Sequence, residues 1–303
     1  NETNINLAFV DFKYQNHKVR LKFTPGFGTY VDANYASEKG SIKNLIEANV
    51  GVKLSNKKEV WLDAGVLGSP FTNETAISKD HFMYTRAMAP EYVPYYLAGA
   101  RLTYPLTTKL TGYAYVLNGW QQIYDQNNSL SFATQLEYKS AKNFLINWDT
   151  YVGNEKSTIS PDNRMRYFSD VYAIINLNKK WSATTCVYAG LQQRTDSITQ
   201  KLNNKTWWQA NLVVKYIFNQ HHNLAARIEY FEDMNHVVTN SETFAVKGFN
   251  SYSAGLCFNK KITDNALFRL EGRHFFSNRN VYLKNNTPTN TSTLLITNLT
   301  VWF

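Results

Sequence analysis

The 303 residues include 14 glycines and 7 prolines, with 15% aromatic and 18% charged residues, which excludes collagen-like, low-complexity and disordered chains. The net charge of +9 lies in scattered lysines and arginines, as in Asn178-Lys179-Lys180 and Lys260-Lys261, and this argues against a nucleic-acid partner. No apolar run approaches the roughly eighteen residues of a membrane helix, yet 20 tyrosines, 18 phenylalanines and 7 tryptophans accompany a mean hydropathy of −0.40, the balance of a closed barrel with a lipid-facing outside and a wet inside.

Alternation of period two predicts fifteen strands in chain order, starting near residues 5, 18, 44, 59, 95, 109, 129, 143, 165, 181, 206, 223, 250, 265 and 293. The chain opens on Asn1 with no readable signal peptide, which is either cleaved or not included. After the second strand, Gly26 to Ala36 reads as loop. The longest connection, 68–93, holds Pro70 and Pro90, with Pro94 just beyond, and Asp80, His81, Arg86 and Glu91 within it. Long connections rarely stay structureless without a use, so it is a candidate constriction loop, with a surface lid as the alternative. Its residues Ala76 to Met88 are read as a short helix.

Further on, Tyr96, Ala98, Ala100, Leu102 and Tyr104 alternate with Leu97, Gly99, Arg101 and Thr103, and Trp208, Ala210, Leu212, Val214 and Tyr216 with Gln209, Asn211, Val213 and Lys215. Charges keep to the second face, so the first is assigned to lipid. Arginine at Leu212 or Ala100 is therefore expected to destabilise, and at Gln209 or Asn211 to be tolerated. Outward aromatics gather in two belts, with Tyr104, Tyr138, Phe144, Trp181, Tyr216, Phe258 and Phe303 at the short-turn end. Tyr96, Tyr167, Trp208, Tyr230, Tyr252 and Phe276 form the belt at the long-loop end.

Leu299, Val301 and the terminal Phe303 close an alternating strand that resembles the signal outer-membrane barrels present to their assembly machinery. Together these features predict one all-β domain over 1–303, an antiparallel transmembrane barrel in a Gram-negative outer membrane, contacting its lipid and lipopolysaccharide. Counting back from Phe303, the strand near Ile5 runs towards the periplasm and Asn1 lies outside. Single-chain barrels have an even strand count. About sixteen strands are thus expected when intact, with the first missing here and a gap one strand wide between residues 5–14 and 293–303.

Ala48-Asn49-Val50-Gly51-Val52-Lys53-Leu54-Ser55, then Trp61 to Pro70, Glu74, Ala76, Ser78, Tyr84-Thr85-Arg86, and Leu110-Thr111-Gly112 running into Val116-Leu117-Asn118-Gly119-Trp120-Gln121 resemble the β-barrel porin family, OmpL-like, of Bacteroidota outer membranes. The resemblance spans Asn4 to Phe303 and implies an outer-membrane pore of about sixteen strands. Family members usually carry one further amphipathic strand before the segment matching Asn4 to Tyr14.

The inward parity collects Lys53, Arg101, Arg166, Lys215, Arg227, Arg269 and Arg273 with Glu47, Asp63, Glu137, Asp149, Asp170, Glu229 and Glu271. Such charges must pair or meet water, so they are expected to line the pore, largely as cross-strand salt bridges, with only slight ion preference. The outward His274 has no serine or acid beside it for a triad, and His221-His222 has no ligand cluster, so neither an enzyme, a metal nor a cofactor is expected. Cys186 and Cys257, three strands apart, are expected to be free thiols. Asp196-Ser197-Ile198 resembles a short O-glycosylation motif of Bacteroidota. Two readings stand: a passive diffusion porin, alone or as a homo-oligomer, and an accessory barrel of a larger outer-membrane complex. The second draws on inward Trp61, Tyr113, Tyr115, Tyr151, Phe168, Tyr172 and Phe231, which narrow the lumen.

Overall fold

The computed structural model describes residues 2–140, 144–239 and 246–303. Residues 1, 141–143 and 240–245 lie outside the described residues, and with them the expected position of Asn1.

Strands β1 (Ala8–Phe9) and β2 (Phe12–Gln15) both pair with β3 (Val19–Phe27) and form one interrupted crossing. There follow β4 (Leu45–Lys53), β5 (Trp61–Gly68), β6 (Tyr96–Pro105), β7 (Leu110–Leu117), β8 (Ser131–Lys139), β9 (Phe144–Asn154), β10 (Asn163–Asn176) and β11 (Trp181–Thr195). Next come β12 (Leu202–Ile217), β13 (His222–Asp233), β14 (Phe249–Thr263) and β15 (Ala266–Phe276). A separate hairpin of β16 (Tyr282–Lys284) and β17 (Thr287–Thr289) decorates the last long loop, and β18 (Thr291–Val301) returns to pair with β15. Each crossing strand pairs antiparallel with its neighbours in the chain, so the sheet is a meander.

The sheet is apolar on its outer face. On β11 to β14, Val187, Leu212, Ile228 and Leu256 are exposed, while the intervening Cys186, Asn211, Arg227 and Cys257 are buried. Alternation is a property of the pleated backbone, and only a lipid solvent makes the apolar set the outer one. Tyr104, Phe144, Trp181, Tyr167, Trp208, Tyr252 and Phe276 are exposed in the expected belts.

Three features depart from expectation. Gly26 to Ala36 contains a short helix, α1 (Thr29–Asn34), rather than plain loop. Tyr96, expected in the outer belt, is fully buried, because the α1 connection covers it: its ring stacks on Tyr35 at 4.5 Å and its hydroxyl donates to Glu38 at 2.6 Å. Ala76 to Met88 is not a helix. It holds one 3-10 turn, Ser78–Asp80, and the single-turn α2 (Met88–Glu91) begins only at its end. The backbone N–H groups a helix would use are committed instead to side-chain carboxylates, as the site geometry shows.

Among the described residues no ladder joins β18 to β1 or β2. Residues 2–7 and 296–301 line one cavity of about 770 Å³ between these two edges. The inward residues of β18 are correspondingly only half-buried.

Candidate functional site: the lumen and its inserted loop

The connection from β5 to β6, residues 69–95, folds into the barrel and is tied to both flanks of the inner wall. On one flank, an ionic lattice spans β13 to β15. Arg227 bridges Glu229 at 3.1 Å and Glu271 at 3.2 Å, and Arg273 bridges Glu229 as well. All four side chains are buried, so each charge depends on the others. The loop docks on this lattice by its backbone. The N–H groups of Tyr84 and Thr85 both donate to Glu271 at 2.9 Å, and that of Met88 to Glu229 at 2.5 Å. In return, Arg227 donates to the Thr85 carbonyl at 2.6 Å, Arg273 to that of Arg86 at 3.0 Å and Arg269 to that of Ser78 at 2.7 Å.

On the other flank, the Thr72 N–H donates to Asp170 at 2.7 Å, and the Asn73 amide donates to Thr184 at 3.0 Å and Asn211 at 3.1 Å. Within the loop, Ala87 N–H donates to the buried Glu74 at 2.6 Å, and burial pushes that carboxyl above its ordinary range. Arg86 lies over the rings of Tyr30 at 4.5 Å and Tyr95 at 5.4 Å and pairs with Glu91 at 2.8 Å. His81 accepts the Thr75 N–H at 3.1 Å, while Asp80 is exposed and lines the cavity between the loop and the opposite wall.

Between the loop and β8 to β13 the lumen is filled. Phe71, Tyr151, Phe168, Tyr188, Trp207 and Phe231 form one buried cluster, with Phe71 and Phe168 centroids 5.1 Å apart. Trp120, from the β7–β8 connection, packs on this cluster. Arg166 sits between Trp120 at 4.9 Å and Trp207 at 5.5 Å and donates to Gln192 at 2.8 Å. Gly190 makes this possible, since a Cβ there would come within 2.1 Å of the Trp207 ring. Lys215 ends 4.1 Å from the centre of the Phe82 ring.

The wall of β3 to β6 is different. Arg20, Gly51, Asp63 and Arg101 occupy one row across β3, β4, β5 and β6. Arg20 reaches over Gly51 to Asp63 with a two-pronged contact at 2.6 and 2.5 Å, and Arg101 meets the same carboxylate at 3.0 Å. A Cβ at position 51 would lie 2.2 Å from the Asp63 carboxylate, so glycine is what lets the row close. Lys22 pairs with Glu47 at 2.5 Å, and Lys53 with Glu59 in the β4–β5 turn. Glu137 sits 3.5 Å from the Tyr113 hydroxyl. A cavity of about 350 Å³ separates this wall from the loop, with Lys22, Glu47 and Arg101 in its lining.

Apart from Glu137 and Lys215, the inward charges therefore fall into two sets. Arg166, Asp170, Arg227, Glu229, Arg269, Glu271 and Arg273 are buried and hold the loop or its aromatic packing, and Asp149 is buried beside Asp170. Glu47, Lys53, Asp63 and Arg101 form the second set, on the open side. Arg20 and Lys22 belong to that set and were passed over in the sequence, although they share inward parity with Thr24 on β3, opposite the exposed Val19, Leu21 and Phe23. Leu299, Val301 and Phe303 are exposed at the outward end of β18. Cys186 and Cys257 are free, buried thiols.

An antiparallel meander, apolar outside and charged inside, with a long connection folded into its lumen, defines the class of outer-membrane porin-like channels. The family described as "Putative beta-barrel porin-2, OmpL-like" matches residues 1–303, and the chain belongs to it. Its fold is similar to OmpT of Vibrio cholerae, at 11% identity over 98% of this chain and 89% of that one, with a TM-score of 0.61. It is similar also to the outer-membrane channel DcaP of Acinetobacter baumannii, at 9% identity, 88% and 77% coverage and a TM-score of 0.60. The anion-selective porin from Comamonas acidovorans aligns at 9% identity, 96% and 87% coverage and a TM-score of 0.60. No curated protein matches the chain. Family and fold place the protein among outer-membrane porin-like channels.

Proposed function

We propose that the protein is a passive diffusion porin for small hydrophilic solutes, with residues 69–95 as its constriction. The observation that carries this reading is the loop's attachment: it is tied at both flanks to charged and polar wall residues, which leaves a cavity of about 350 Å³ beside it along β3 to β6. A loop pinned through its backbone sets a fixed minimum width, which is what sieving by size requires.

In the cell the reading includes outer-membrane lipid and lipopolysaccharide around the belts and delivery by the barrel assembly machinery through Leu299, Val301 and Phe303. A homo-oligomer is part of it too, as OmpT of Vibrio cholerae has a trimer form. Purified protein in a planar bilayer tests the proposal. Stepwise conductance that grows with salt concentration is expected; electrical silence together with stoichiometric co-purifying proteins would favour an accessory barrel instead.

A further inference from the structure

The two halves of the inner wall are not equivalent. From β8 to β13 the inward side chains Ala133, Tyr151, Phe168, Tyr188, Trp207 and Phe231 are buried under the loop. On β3 to β6 the inward Arg20, Lys22, Glu47 and Arg101 each keep about a fifth to a quarter of their side-chain surface open. The cavity at the extracellular mouth, about 410 Å³, shares Val93 and Tyr95 with the cavity beside this open wall. Among the described residues only Val93 and Tyr95 stand between the mouth and the open wall on that side.

Charge on the open wall is also uneven in what it shows. Lys22 and Glu47 are equally exposed and cancel. In the row below them, two guanidinium groups share one carboxylate. Asp63 is 1% exposed, whereas Arg20 and Arg101 are 24% and 25% exposed. The carboxylate thus lies beneath the arginines, and the row presents one net positive charge to the lumen, with one face of the Arg20 guanidinium stacked on Trp61 at 4.5 Å. Guanidinium groups match carboxylate and phosphate oxygens in pairs.

We infer that solutes cross along one side of the barrel only, between the inserted loop and the wall of β3 to β6, and that the Arg20–Asp63–Arg101 row makes this route favour anions, carboxylates and phosphates in particular. The inference rests on the porin reading. Gly51 builds the row, because any side chain there would push Arg20 off Asp63.

The native cysteines supply the control for a thiol-labelling test. Cys186 and Cys257 face inward but lie under the loop. The anionic thiol reagent 2-sulfonatoethyl methanethiosulfonate should leave wild-type conductance unchanged and should block a large part of the conductance of Arg101→Cys. Reversal potentials are read next, at about 10 mM salt, where screening extends over about 30 Å. A unit charge roughly 10 Å from the ion path changes the occupancy of each ion sign about twofold. Arg20→Gln and Arg101→Gln should therefore lower the anion-to-cation permeability ratio by at least that factor, and Asp63→Asn should raise it. Loss of wild-type conductance through modified Cys186 would overturn the one-sided route. Unaltered permeability ratios in conducting Arg20→Gln and Arg101→Gln channels would overturn the role of the row. A silent wild-type protein would remove the porin reading itself, a result distinct from both.

Discussion

Asp149 and Asp170 stand directly opposite each other on β9 and β10, both buried on the inner face. The two carboxyls hydrogen-bond each other, and Asp170 also accepts the Thr72 N–H of the inserted loop. An amide at position 149 can still donate to Asp170, so Asp149→Asn is expected to hold stability within about 1 kcal/mol of wild type. Asp170→Ala leaves the buried Thr72 N–H unpaired and should cost about 1–3 kcal/mol. Urea unfolding in detergent checks both; equal losses in the two variants would show that Asp170 does not anchor the loop.

Glu271 carries more of the loop than any other wall residue on its flank, accepting from Tyr84, Thr85 and Arg227. Glu271→Gln leaves Arg227, which is fully buried, with Glu229 alone. The cost should approach the roughly 3–5 kcal/mol of a broken buried pair, and the freed loop should make single-channel currents larger and noisier. Currents of wild-type size and noise would mean that the loop is held elsewhere.

Burial holds His81, in the inserted loop, down at about 3 from an ordinary 6.5, and the positive Arg86 and Arg269 act in the same direction. The unfolded chain therefore binds the proton more readily than the folded one, and folded stability rises with pH through this window. The loop's attachment should be intact above about pH 6.5 and weaken progressively towards pH 3. Thermal melting of wild type and His81→Gln from pH 8 to 4 checks this. The variant should show a flatter dependence, and parallel curves would exclude His81 as the cause.

Leu212 is 39% exposed on the lipid face, and Leu212→Arg should cost about 2–4 kcal/mol at mid-barrel depth. Its neighbour Asn211 faces inward, yet it is 4% exposed and accepts the Asn73 amide, so the tolerance expected there from parity alone does not hold. Asn211→Arg should cost about 1–3 kcal/mol through overpacking, and unlike Leu212→Arg it should alter conductance. Refolding titrations into lipid vesicles, paired with bilayer recordings, separate the two effects.

The unjoined edges of β18 and β1 can be probed by cross-linking. A disulfide needs Cβ atoms about 3.5–4.5 Å apart. Leu7→Cys with Asn298→Cys, across the cavity of about 770 Å³, should stay reduced under mild oxidation in the membrane. Gly272→Cys with Leu295→Cys, directly paired on β15 and β18, should cross-link. Ready oxidation of the first pair would show that the two edges adjoin.

The amino-acid sequence alone was enough for the meander, because the inside-to-outside alternation of a strand is local: each residue's face follows from its neighbours at two-residue spacing. Leu212 against Asn211, the belt residues Trp181 and Trp208, and the inward arginines were all legible in this way, and Arg20 and Lys22 carried the same mark. Which inward charges meet water was not legible. That depends on a loop whose Thr72 finds Asp170 across 98 positions and whose Tyr84 finds Glu271 across 187. The same long-range commitments withdrew the N–H groups that a helix over Ala76 to Met88 would have needed, and the α1 connection covered Tyr96 although its parity points outward. Period and polarity determine the face a residue takes; only closure of the chain upon itself decides whether lipid, water or another segment lies against that face.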